Sequence, residues 1–268
     1  MSLEQNTHHQ IQLLALHGFT GCGLDFAALQ TGSIAQWHCP DLPGHLSQTQ
    51  RKDCSPQATL NYLLEHAQKL NRPRVLLGYS MGARAALQLM AHQLDSWDAL
   101  ILISGNPGLS DPVERTFRQQ NDLQMARRIE TIGLSNFLTE WQAIPIIQTQ
   151  KNISASIRKS MQLNRLKHTA SGLAMSLRQF GVAVCPDLWP MFSAIHCPIL
   201  SITGSKDPKY GQIADKMQQL NAQVQVVTVD AVGHTPHLEA IDRCKPIIEN
   251  FLQKIVTGKS HWSKGSNA

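Results

Sequence analysis

No run of apolar residues in this 268-residue chain approaches the length of roughly 18 needed to cross a bilayer, so no membrane-spanning helix is expected. The first ten residues are polar and lack the apolar core of a secretory signal, which makes a cytoplasmic location the expectation. Cysteine is sparse. Cys22, Cys39, Cys54, Cys185, Cys197 and Cys244 include no C-x-x-C pair, so zinc-site and dithiol-redox patterns are missing. They read as free thiols serving as small apolar fillers. A dense basic run is also lacking. Lys and Arg outnumber Asp and Glu by 24 to 19, a formal charge of +5, but they are scattered. Nucleic acid is therefore not an expected partner, and the mild positive balance suits an anionic small molecule. Internal repeats and low-complexity segments are absent too. With 42% hydrophobic and 16% charged residues, the chain reads as a globular fold with a sizeable core.

What is present is a nucleophile-elbow pattern. The apolar run Arg74-Val75-Leu76-Leu77 leads into Gly78-Tyr79-Ser80-Met81-Gly82, and an alanine-rich helical segment follows. A strand, a sharp turn holding one serine and then a helix is the context in which G-x-S-x-G exposes a nucleophile. The two glycines let neighbouring backbones close up, and the helix aims free N–H groups and its positive dipole end at the serine. An ordinary serine in a glycine-rich turn is the competing reading of this motif taken alone.

Further strands are predicted at 11–16, 99–103, 199–203 and 224–229, with helices at 57–70 and 243–256. Between 110 and 190 no strand run occurs, and the segment is helical and rich in Arg, Gln and Leu. The expectation is an α/β fold with a mainly parallel central sheet, helices on both faces and an inserted helical cap. Its parts are a first core segment (1–109), the cap (110–190), a second core segment (191–258) and a polar tail (259–268).

A serine nucleophile needs a base, and the base needs an orienting acid. Asp207 stands just past the strand at 199–203, and His234 follows the strand at 224–229. Both are at strand C-terminal ends, where sites of open α/β sheets lie, and the order Ser, Asp, His suits such folds. Asp207 precedes Pro208 and could instead simply start a turn. Asp215 and Asp230 are its rivals, the first within a helical stretch, the second close to its own strand end. His237 competes with His234, which is preferred because Gly233 frees the backbone to turn the ring inward. Backbone amides of Met81 and Phe19 are the candidate oxyanion hole.

Together these residues resemble the α/β-hydrolase superfamily. Residues 11–255 are further similar to one family, the 2-succinyl-6-hydroxy-2,4-cyclohexadiene-1-carboxylate synthases of menaquinone and phylloquinone biosynthesis. The early stretches His17-Gly18-Phe19-Thr20-Gly21 and Asp41-Leu42-Pro43-Gly44-His45 are partly generic. More telling are Asn106-Pro107-Gly108-Leu109, Arg118-Gln119-Gln120-Asn121-Asp122, Trp141 with Pro145, Arg165-Leu166, Pro186-Asp187-Leu188-Trp189, and Gly233-His234 with His237 and Glu239. The resemblance implies a lyase that expels pyruvate from an enolpyruvyl cyclohexene carboxylate, with the triad acting as a base. It implies Arg118 and Arg165 as carboxylate clamps, and Tyr79 and Trp141 as pocket lining. No cofactor or metal is implied, and a monomer is expected. Arg84, inside the elbow helix, is expected to play a structural role by pairing with a nearby loop. Two departures stand out: Leu46 after His45, where glycine is frequent, and Gln142 after Trp141, where tyrosine is common. An esterase or C–C bond hydrolase with the same triad is the rival enzyme, and a non-catalytic ligand-binding protein of this fold is the rival outside enzymes.

Overall fold

The computed structural model describes residues 10–30 and 32–258. The predicted polar tail at 259–268 and the polar segment at 1–9 lie outside the described residues. Six strands form one parallel sheet: β1 (Ile11–Leu16), β2 (Ala35–His38), β3 (Arg74–Tyr79), β4 (Ala99–Ile103), β5 (Ile199–Gly204) and β6 (Val224–Val229), in the order β2-β1-β3-β4-β5-β6. The near-continuous apolar runs of β1, β3 and β4 fit this arrangement because parallel sheets bury both faces.

Alternation along β3 shows the two layers. Leu76 joins a core built with Leu63 of α1 (Pro56–Ala67) and Leu87 of α2 (Met81–His92). Val75 and Leu77 point the other way and join Phe26 together with Ile248 and Phe251 of the last helix. Helix starts follow local chemistry. Ser55 accepts from the Ala58 amide with Pro56 as the first helical residue, a cap and a pre-set φ acting together.

Between β4 and β5 the described chain is helical: α3 (Pro112–Ile132), α4 (Leu134–Ala143), α5 (Pro145–Gln148), α6 (Ala155–Arg165), α7 (Ala170–Phe180) and α8 (Trp189–Phe192). Helices α3, α4 and α7 share a small core of their own, containing Ile129, Phe137 and Leu173. The fold closes with α9 (Pro208–Leu220), α10 (Pro236–Glu239) and α11 (Ile241–Val256). Helix α11 begins two residues before the start predicted from sequence at 243.

The strand order positions the site. Chain direction across the sheet reverses between β1 and β3, and the loops leaving their C-terminal ends diverge there, opening a crevice. Phe19 follows β1 and Ser80 follows β3, so both flank that crevice.

Candidate active site

Ser80 occupies φ +51° and ψ −106° between β3 and α2. A non-glycine residue held there costs on the order of 1–3 kcal/mol. The surrounding backbone enforces it: the Ser80 amide donates to the Ile103 carbonyl at 3.0 Å, and its own carbonyl receives the Ala83 amide at 3.1 Å. Gly82 is indispensable to the turn, because a Cβ there would stand 1.9 Å from the Leu16 carbonyl oxygen. The elbow helix therefore rests directly on the end of β1, which brings the Met81 amide and the Phe19 loop to one place.

His234 Nε2 lies 2.9 Å from Ser80 Oγ, and His234 Nδ1 lies 2.6 Å from Asp207 Oδ2. His234 and Asp207 are buried. The hydrogen-bond chain Asp–His–Ser matches the geometry that lets imidazole take a serine proton while a carboxylate holds the ring. Asp207 makes both kinds of contact that its sequence context suggested. Oδ2 faces His234, while Oδ1 receives the Tyr210 amide at 3.4 Å and caps α9. Its rivals are elsewhere: Asp230 accepts from Ser205 Oγ at 3.0 Å in an exposed position, and Asp215 lies within α9.

The His234 loop is clamped rather than merely permitted. Ser104 Oγ donates to the His234 carbonyl at 2.9 Å. Glu239 accepts from the Gly233 amide at 2.9 Å, the Thr235 amide at 3.2 Å and Thr149 Oγ1 at 2.9 Å. The need for glycine at 233 is one of contact: a Cβ would meet Thr149 Oγ1 at 2.1 Å. This replaces the conformational reason inferred from sequence, since Gly233 is not among the residues with positive φ. His237, the competing histidine, is buried against the Tyr79 ring at 4.4 Å, and burial drives its imidazole down to about 3.

Three neutral histidines support the Phe19 loop. His17 Nδ1 donates to the Gly18 carbonyl at 2.9 Å and Nε2 accepts from the Leu42 amide at 2.9 Å. His168, from the helical block, accepts the Leu46 amide on Nδ1 and donates from Nε2 to the Thr20 carbonyl, both at 3.1 Å. His45 packs between them, with ring centroids 5.0 Å from His17 and 5.3 Å from His168. Burial lowers the basicity of all three, His168 to about 4. For His17 and His168 geometry demands the same, because an imidazole that accepts from an amide has no proton on that nitrogen.

A cavity of about 310 Å³ opens over Ser80, floored by Phe19, Met81 and His234 and walled by the helical block. Tyr79, Arg118, Trp141 and Arg165 all line it. Arg165 donates from Nη2 to Gln150 Oε1 at 2.9 Å. Gln150 Nε2 in turn donates to Thr235 Oγ1 at 2.9 Å, and Thr235 Oγ1 is 3.0 Å from the Tyr79 hydroxyl. Arg84, predicted to be structural, does donate from Nη2 to the Phe180 carbonyl at 3.2 Å, but it also faces the cavity. Its signal in the sequence was spacing: four residues after Ser80 on one helix is the same face one turn on. Among the described residues, Arg84, Arg118 and Arg165 each keep a buried Nε without a hydrogen-bond partner. Asp25 and Asp122 share the wall, and desolvation pushes both carboxyls up, toward the neutral form. The cavity is thus cationic, with donors unspent.

The sequence pattern of the alpha/beta hydrolase family matches residues 13–245, and the chain belongs to that family. Within it, a Bacillus subtilis (strain 168) protein provisionally named 2-succinyl-6-hydroxy-2,4-cyclohexadiene-1-carboxylate synthase is 29% identical over 248 residues, covering 91% of this chain and 90% of that protein. Among solved structures, MenH from S. aureus superposes with a TM-score of 0.87 at 28% identity, over 95% of this chain and 97% of that one. A malate-bound thermophilic esterase from Thermogutta terrifontis gives 0.78 at 25% identity, over 91% and 90%. No helix among the described residues is long and apolar enough to cross a membrane.

Proposed function

We propose that this protein is a 2-succinyl-6-hydroxy-2,4-cyclohexadiene-1-carboxylate synthase, a carbon–oxygen lyase that eliminates pyruvate from 2-succinyl-5-enolpyruvyl-6-hydroxy-3-cyclohexene-1-carboxylate. The observation that carries the reading is the pairing of Ser80–His234–Asp207 with three arginines holding unpartnered buried Nε groups in one cavity. A substrate with several carboxylates would satisfy those donors through charge-assisted, bidentate contacts. The helical block at 110–190 serves as the cap that presents Arg118, Trp141 and Arg165.

His234 Nε2 takes the proton of Ser80 Oγ, and Asp207 stabilises the resulting imidazolium. The serine oxygen then removes a ring proton. The C–H electron pair at the succinyl-bearing ring carbon becomes a new C=C bond, the existing ring C=C pair shifts one bond toward the ether-bearing carbon, the C–O bond to the enolpyruvyl group breaks, and the departing enolate takes a proton to become pyruvate. Amides of Phe19 and Met81 stabilise charge developing on the conjugated carbonyl. No acyl-enzyme forms.

The second reading is a serine esterase, favoured by the esterase-like neighbour and by a triad common to both. One assay separates them. Pyruvate release with rising diene absorbance, abolished in Ser80→Ala, is the result expected. Failure of that turnover together with Ser80-dependent cleavage of aryl esters would overturn the lyase reading in favour of the esterase.

A further inference from the structure

A second cavity, of about 280 Å³, lies behind the wall of the first. Arg165, Gln150, Ile147 and Met161 line both, so one layer of side chains separates them. The remaining lining comes from exposed or half-exposed residues of the cap, chiefly Lys151, Arg158, Gln142 and Gln162, with Ile153 buried at its base. This cavity therefore opens to solvent on the cap side and ends inward at Arg165. Its volume is at the low end of those found for ligand sites.

Its chemistry is one-sided. Among the described residues that line it are three cations and four glutamine amides, and no Asp or Glu. The mouth is ordered: Arg158 Nη1 on α6 donates to the Lys151 carbonyl at 2.5 Å. The inner end is ordered too. Arg165 is buried, burial lowers its basicity, one of its nitrogens is tied to Gln150, and its Nε is unpartnered. Asp25 is the carboxylate that acts on this guanidinium, but burial draws that carboxyl toward its neutral form, and an anion of a few atoms arriving from either side would take the open Nε donor and balance the buried charge.

We propose that this rear cavity is a binding site for a small monocarboxylate, and that Arg165 is shared between it and the reaction cavity. Only the identity of the anion as the leaving pyruvate rests on the lyase reading. A passage of this kind would let the three-carbon acid depart on the cap side while the larger diene product still fills the front cavity. Gln150, bonded to Arg165 on one side and Thr235 on the other, is the side chain that must turn for the two cavities to join.

The test is a titration of the full chain, 13C-labelled on Ile and Met methyls, with sodium pyruvate. Ile153 reports the rear cavity alone, Ile144 and Ile146 the front alone, and Met161 both. The expected result is saturable movement of Ile153 and Met161, weakened roughly tenfold in the Lys151→Gln/Arg158→Gln double variant, as loss of charge-assisted contacts implies. Neutral pyruvamide should leave Ile153 in place, and Arg118→Gln should leave its titration unchanged. A static Ile153, or an Ile153 titration indifferent to the double variant, would overturn the proposal. Because the titration needs no turnover, pyruvate binding at Ile153 in a protein lacking lyase activity sinks the functional reading alone. Lyase activity with a static Ile153 sinks the rear site alone.

Discussion

Acid should loosen this protein through the histidines beneath the Phe19 loop, and His168 gives the sharpest measurement. Its two ring nitrogens hold an amide and a carbonyl at 3.1 Å each, an arrangement that only the neutral ring can make. In the unfolded chain the imidazole takes a proton near 6.5, and in the folded protein only near about 4. The folded state thus refuses a proton that the unfolded state accepts. Stability from this group is fully present above pH 6.5 and is lost as pH falls from there toward 4. The whole window is worth about 3 kcal/mol, and the portion between pH 7 and 5.5 about 1 kcal/mol. His45 and His237 add in the same direction, since burial lowers both, His237 to about 3. His168 and His237 together would remove about 2 kcal/mol by pH 5.5, a sizeable share of the stability of an ordinary domain. Asp25 and Asp122 act in the opposite sense because burial raises them, so the measurement is a difference. Urea melts of the native protein and His168→Gln, which keeps one donor and one acceptor without titrating, are compared at pH 7 and 5.5. The stability gap between them should shrink by about 1 kcal/mol at the lower pH. A gap that does not change with pH would refute the neutral-strut account of His168.

Four other outcomes are expected. Asp207→Asn should keep the fold yet cut kcat by about 10³–10⁴, the loss typical when the imidazole is held in the wrong tautomer, and steady-state rates in the pyruvate-release assay check it. Gly82→Ala gains about 1 kcal/mol of helix propensity but drives a Cβ to 1.9 Å from the Leu16 carbonyl. Overpacking costing about 1–3 kcal/mol or more outweighs that gain, so the melting temperature should fall and activity with it. Arg84→Gln and Arg118→Gln should each lower kcat/KM for the polycarboxylate substrate by about 10-fold or more, while leaving hydrolysis of a neutral aryl ester within a few-fold; parallel kinetics on both substrates decide it. Ser104→Ala removes the 2.9 Å hydrogen bond to the His234 carbonyl and should cost about 1–3 kcal/mol in thermal or chemical denaturation.

The parts of this site that could be read from sequence are those set by adjacency. Ser80 is announced by a strand, two glycines and a helix within a dozen residues, and Asp207 and His234 each follow a strand directly. Strand ends of a parallel sheet converge on one edge, so chain order alone carries these three to one place. What escaped reading depends on long-range contact. His17, His45 and His168 look unrelated in the sequence, yet they meet edge to face in one cluster because the turn between α6 and α7 lands on the loops after β1 and β2. Arg84 was half-read, since its bond to Phe180 fits a structural role while its cavity-facing position emerges only once α7 is in place. Gly233 was valued for freedom and is needed for clearance, a distinction that Thr149, 84 positions earlier, decides.

On the functional reading, the same Ser80–His234 pair would serve hydrolysis or elimination equally well. A serine oxygen stripped of its proton is both a nucleophile and a base, and the atom placed about 3 Å away selects between them. Nothing in the triad makes that choice, since its distances fix only how the proton leaves Oγ. The choice falls to groups that hold the rest of the substrate. Arg118 and Arg165 come from α3 and α6, and Arg84 from the elbow helix, so guanidinium groups line the cavity from more than one element. Carboxylates held at those points would set a ring C–H, rather than a carbonyl carbon, against Oγ. On that proposal the reaction type is a property of the distance between the cations of α3 and α6 and the elbow, and it would be altered by moving those helices while leaving Ser80, His234 and Asp207 where they stand.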